Sequence, residues 1–180
     1  ILGPDLMETL VGTRRELAQR LAEDFRFPLA PHARDDLPQV AQYLAVIQSL
    51  RFLPRMLVQY LCDELRRRHP AALDEEVCTL TLEQVPRKKL LRLLDDLLER
   101  IWMQQHHHHA DDPYRVMAGL PVPIYITTDT SNLLHKALHQ AGKQPQIVVS
   151  PWNEAAKSIR TVYADDPDYE PDPDTPLVYH

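Results

Sequence analysis

Residues 122–150 read VPIYITTDTSNLLHKALHQAGKQPQIVVS, and this stretch constrains the fold more than any other. "VPIYI" is a mostly apolar run bounded by prolines and threonines, the pattern of a buried parallel strand. "SNLLHKALHQAG" has helical spacing and ends on Gly142, a residue suited to a helix C-terminus. "QIVVS" is a second apolar β run. Strand, helix and strand fit within about 28 residues, the size of a βαβ unit. Two strands joined by a helix lie parallel, so the chain belongs with sheets that carry helices on their faces. "PLVY" near the end reads as a third strand.

The first half is helical by pattern. Thr13 and Glu16 fit a capping box, followed by Leu17, Leu21 and Phe25 at four-residue steps. Asp35 and Asp36 precede a face of Leu37, Val40, Ala41, Leu44 and Ile47. "FLPRMLVQYLCDELRRR" gives Leu53, Met56, Leu57, Tyr60, Leu61 and Leu65, with three arginines suited to a helix C-terminus. "EVCTLTL" fits a short strand or an extended link. Pro86 suits the first turn of the amphipathic run 87–105, and Pro113 starts a short helix. The expected fold is α/β: a Rossmann-like parallel sheet with a helix-rich insertion between the first turn and the later strands. It is read as a single domain over 1–180, with the insertion near 35–105 and the βαβ part near 113–180. The start without Met and the end at "PLVYH" read as the ends of a piece of a larger multidomain protein.

Charge narrows the partners. Net charge is −6, and "DDPDYEPDPD" at 165–174, read as a long surface loop, holds six acids and no base. Outside it, acids and bases balance at 20 each, so a globally basic, nucleic-acid-binding surface is not expected. Arg66–Arg68 with Arg87–Lys89 read as solvated helix ends. No apolar run approaches the ~20 residues of a membrane span. Cys62 and Cys78 lack C-x-x-C spacing and read as buried free thiols in a reducing cytoplasm.

The candidate site is the end of the first apolar run. Ligands in open α/β sheets lie beyond the carboxyl ends of the strands. Thr127, Thr128, Asp129 and Asn132 fall there, with hydroxyls, a carboxylate and an amide able to bond a ribose. Asp, Ser and Asn are also preferred helix N-caps, and spacing alone favours that plainer role. His180 follows the third apolar run and can act as a general base near neutral pH, or be no more than a His at a strand edge. His106–His109 read as an exposed loop rather than a metal centre, since metal sites draw ligands from separated positions. His135 and His139 share a helix face, but Lys136 stands where a zinc-protease motif needs Glu. No Walker loop or G-x-S-x-G occurs, and four glycines in 180 residues weigh against a full glycine-rich phosphate loop.

Residues 120–154, LPVPIYITTDTSNLLHKALHQAGKQPQIVVSPWNE, are similar to the SIR2-like domains of bacterial defence proteins. Those carry a strand ending in T-T-N, a helix of the L-L-E type, a second strand and a W-N-like segment. "TPLVYH" resembles the strand that delivers the family's catalytic His, and "ILGPDL" resembles a degenerate opening G-A-G turn. The resemblance implies a Rossmann-like fold that binds NAD and, in active members, cleaves the nicotinamide–ribose bond. It implies catalytic positions at Asp129, where the family has Asn, and at His180. It implies ligand contacts at Gly3, Thr127, Thr128 and Ser131, with Asn132 beside them. No metal ligand set is read from the residues. Asp129 departs from the family because a carboxylate only accepts, whereas an amide also donates. Pro4 and Asp5 depart because one lacks an N–H and the other repels phosphate. The function implied is an NAD+ hydrolase effector of a prokaryotic antiphage defence system. The alternative is a catalytically degenerate module for nucleotide sensing or oligomeric scaffolding. Partners implied are NAD or a related nucleotide, and further copies or domains of a defence complex. In the scaffolding alternative, the leucine-rich 90–101 face is one that could supply an oligomer interface. A protein deacylase would usually carry a four-cysteine zinc module, absent here.

Overall fold

The computed structural model describes residues 2–28, 34–48, 52–82, 85–106, 108–129, 131–150, 159 and 161–180. Within helices, the side chains of Pro4, Asp5, Phe52, Leu53, Arg87 and His106 are also outside the described residues, as is the Trp152–Asn153 segment. The chain divides into two compact units: Met7–Ile101, and Ile1–Leu6 with Trp102–His180. The helical unit therefore begins well before residue 35.

The helical unit contains α1 (Glu8–Val11), α2 (Arg14–Asp24), α3 (Leu37–Ile47), α4 (Phe52–Arg68), α5 (Glu75–Thr79) and α6 (Arg87–Ile101). The Thr13–Glu16 capping box forms: Glu16 N donates to Thr13 Oγ1 at 3.2 Å and Thr13 N donates to Glu16 Oε2 at 2.8 Å. Asp36 caps α3 through Gln39 N. Ala18, Leu21, Ala22, Phe27, Val40, Leu44 and Met56 form one core, which removes their apolar surface from water. On α3 the buried stripe stops at Leu44, and Ile47 is exposed at the helix end. The buried face of α4 also includes Val58 and Cys62. Burial pushes the Cys62 thiol up to about 12, so it stays protonated.

Three sequence expectations change in this unit. "EVCTLTL" is neither strand nor link at its start, because Glu75–Thr79 is a helical turn. The 66–68 arginines are not simply solvated. Arg66 is buried and its Nη1 donates to Leu80 O at 3.0 Å, while Arg67, Arg68 and Arg20 gather on the buried carboxylate of Glu64. The leucine face of α6 is turned inward: Leu90, Leu97, Leu98 and Ile101 are buried, and α6 packs on α4.

The second unit holds a π-helical turn (Trp102–His106), α7 (Pro113–Gly119), β1 (Ile124–Ile126), α8 (Leu133–Gln140), β2 (Gln146–Val148), α9 (Val162–Asp165) and β3 (Leu177–Tyr179). All three strands are parallel in the order β1-β3-β2, so "PLVY" supplies the central strand. Leu2 adds a parallel bridge to Thr127 outside β1. The mixed α/β class holds, with a sheet of three short strands. β1 is not buried on both faces: Tyr125 is buried, while Ile124 and Ile126 are exposed. α8 stops in a Schellman motif, with Gly142 at φ +83°, Gly142 N on His139 O and Lys143 N on Leu138 O. Among the described residues, no helix is long and apolar enough to cross a membrane.

Candidate functional site

Three chain segments end at one edge of the sheet. Thr127 N donates to Tyr179 O at 2.9 Å, and Thr128 N donates to Leu2 O at 3.2 Å. His180 N donates to Val148 O at 2.8 Å. The parallel register thus sets Gly3, Thr128 and His180 each one residue beyond a paired strand position. Sequence reasoning placed these residues at strand ends; the pairing shows which ends are neighbours.

The turn after β1 is built around Asp129, which is 2% exposed. Tyr114 Oη donates to its Oδ2 at 2.8 Å. Ser131 Oγ donates to the same oxygen at 2.9 Å, and Ser131 N donates to Oδ1 at 2.9 Å. Asp129 N in turn donates to Thr127 Oγ1 at 2.9 Å. Ser131 Oγ accepts from Leu133 N at 3.4 Å, in the first turn of α8. The carboxylate therefore does not cap the helix directly; it holds the serine that does. Three donors converge on it: Ser131 N is a fixed donor to Oδ1, while the Tyr114 and Ser131 hydroxyls, which can also accept, donate to Oδ2. A charged acceptor makes these bonds stronger than an amide in the same place would.

The site residues separate by exposure. Thr127, Asp129 and Ser131 are buried and bonded to one another. Thr128, Asn132 and Gly3 are exposed, and His180 is half-buried. Asn132 occupies the N-cap position of α8 without a side-chain cap bond. Thr130 lies outside the described residues. His135 and His139 rings meet edge to face with centroids 4.4 Å apart. Desolvation, then the neighbouring His139, Lys136 and His180, hold the His135 pKa below its ordinary value. His180 is therefore within electrostatic reach of α8 as well as of the β1 end.

Tyr114 was not legible as part of this site. It is buried in the first turn of α7, and burial with the adjacent Asp129 charge raises its pKa, so it remains a hydrogen-bond donor. Its spacing from Ala118 marks an inward face, but nothing in the sequence pairs it with a residue fifteen positions on. Trp102 meets Tyr114 edge to face at 6.2 Å, and its Nε1 donates to Asp112 Oδ1 at 3.1 Å. Asp112 Oδ2 accepts from Arg115 N at 2.8 Å, capping α7.

Among the described residues, no group of three or more His, Cys, Asp or Glu side chains is arranged to hold a metal ion. His108 and His109 are exposed and His106 closes the π-helical turn. Comparison with family models, with curated proteins and with solved structures found no match.

Proposed function

We propose that this chain is a SIR2-like NAD-binding module whose ligand lies along the carboxyl edge of the sheet. The observation that supports it is the convergence of Gly3, Thr128 and His180 on adjacent chain segments, with Asn132 at the start of α8. A ribose would be bonded by the exposed Thr128 hydroxyl and Asn132 amide. In the hydrolase reading, His180 takes a proton as water or a ribose hydroxyl engages the oxocarbenium-like carbon left by departing nicotinamide. Asp129 supports that site from beneath rather than entering it. A role as effector in antiphage defence, and assembly with further copies or domains, follow from the same resemblance.

The geometry favours binding further than it favours catalysis. Asp129 is buried and its carboxylate accepts from three donors of the protein, so the position equated with the catalytic amide is engaged inside the fold rather than presented to a ligand. That observation supports the second reading, a nucleotide-sensing or scaffolding module without turnover. Calorimetric titration of NAD, followed by hydrolysis of a fluorescent NAD analogue with and without His180→Ala, tests both. Saturable binding with turnover lost in His180→Ala supports the hydrolase. Saturable binding without turnover supports the sensor, and no binding removes the NAD reading.

A further inference from the structure

A groove of about 470 Å³ lies between α7, α8 and the π-helical turn, on a different set of residues from the strand-end site. Its volume falls in the range of small-molecule pockets. Small residues open it: Ala118 and Gly119 on α7, Ala137 and Ala141 immediately after or within the last turns of α8. A Cβ added at Gly119 would meet nothing within 4 Å, so the space beside it is unfilled. Trp102 adds an aromatic wall. The polar groups are Arg115, Gln140 and His108.

We propose that this groove binds a small organic anion, a carboxylate or phosphate monoester carried on an apolar body. Arg115 brings a fixed positive charge, and among the described residues no acidic side chain lines the groove. Among the described residues its guanidinium is tethered by Nη1, which donates to His108 O at 3.0 Å, and its backbone is held by Asp112. A planar fork tethered at one corner presents its remaining N–H groups to an oxyanion with little further loss of side-chain freedom. Gln140 Nε2 sits 3.0 Å from Met103 Sδ, a weak acceptor, and the amide carries a second N–H that can donate to the ligand's oxyanion. Trp102, Ala118 and Ala137 are buried and form the apolar floor, and the exposed Ala141 and Gly119 flank it, so an apolar body is met by carbon rather than by polar groups.

The proposal stands apart from the NAD reading and is tested separately, by titration calorimetry on the full chain. Benzoate and phenyl phosphate serve as anionic probes and benzamide as the neutral control. Saturable one-to-one binding of an anion is expected, with benzamide weaker by roughly tenfold or more. Arg115→Gln removes that preference. Gly119→Leu adds a side chain into open space, so it fills the groove without disturbing the fold and abolishes binding of all three. Circular dichroism of each variant checks folding. His180→Ala leaves probe binding unchanged, which separates this groove from the strand-end site. The proposal is overturned if neither anion saturates by about 10 mM, a weak limit for a pocket of this size. It is equally overturned if affinity survives Gly119→Leu, or if the anion preference survives Arg115→Gln.

Discussion

Tyr114 Oη, Ser131 Oγ and Ser131 N all donate to one buried carboxylate, that of Asp129. Hydrogen bonds to a charged group in a low-dielectric setting are among the stronger ones a side chain makes. Tyr114→Phe removes one donor and keeps the ring against Trp102, and should cost about 2 kcal/mol in urea denaturation. Asp129→Asn keeps the Ser131 N bond and lets the two hydroxyls rotate to accept, so it should cost about 1 kcal/mol from the lost charge assistance; an unchanged midpoint would show that the charge adds nothing. His135 gives a pH dependence. Its folded pKa lies below the ordinary histidine value, so between the two the unfolded chain binds more protons. That contribution to stability is complete above about pH 6.5 and falls away as pH drops toward the folded value. Thermal melts from about pH 5 to 7.5 should show the loss in the native chain and a smaller one in His135→Gln.

At the scale of elements, the ends of helices are set by local chemistry. Thr13→Ala deletes the side-chain half of the α2 capping box and should lower stability by about 1 kcal/mol. Gly142 sits at φ +83° with open space around it, so Gly142→Ala carries a conformational cost alone, about 1 kcal/mol. A circular-dichroism melt of each variant reads both. Gly12 differs: at φ +84° a Cβ would also run into the Arg68 guanidinium. These caps were written in the sequence as Thr13-x-x-Glu16, Asp36 before Leu37 and Gly142 after α8. The strands were less faithful to their pattern. An apolar triplet reads as a strand buried on both faces, yet Ile124 and Ile126 are exposed. Burial on the second face depends on which elements pack there, and a run of three residues carries no record of that.

At the scale of the whole molecule, the chain divides into two compact units, Met7–Ile101 and Ile1–Leu6 with Trp102–His180. Residues 7–101 expressed alone should be helical and melt cooperatively; a featureless melt would show that this unit lacks an independent core. Glu64 ties its helices, accepting from Arg67 and Arg68 on its own helix and pairing with Arg20 of α2. Glu64→Gln should destabilise by about 2 kcal/mol, less than a fully dry ion pair would lose because Arg20 and Arg67 reach water. The sequence by itself determined the helix caps, the three parallel-type strands and the presence of threonines, Asn132 and His180 at strand ends, because each follows from neighbours within a few residues. Only the tertiary structure decided that β3 is central, that Arg66 is buried, and that Asp129 is held by Tyr114. Those outcomes depend on which distant segments meet, and on whether a carboxylate finds donors once water is gone.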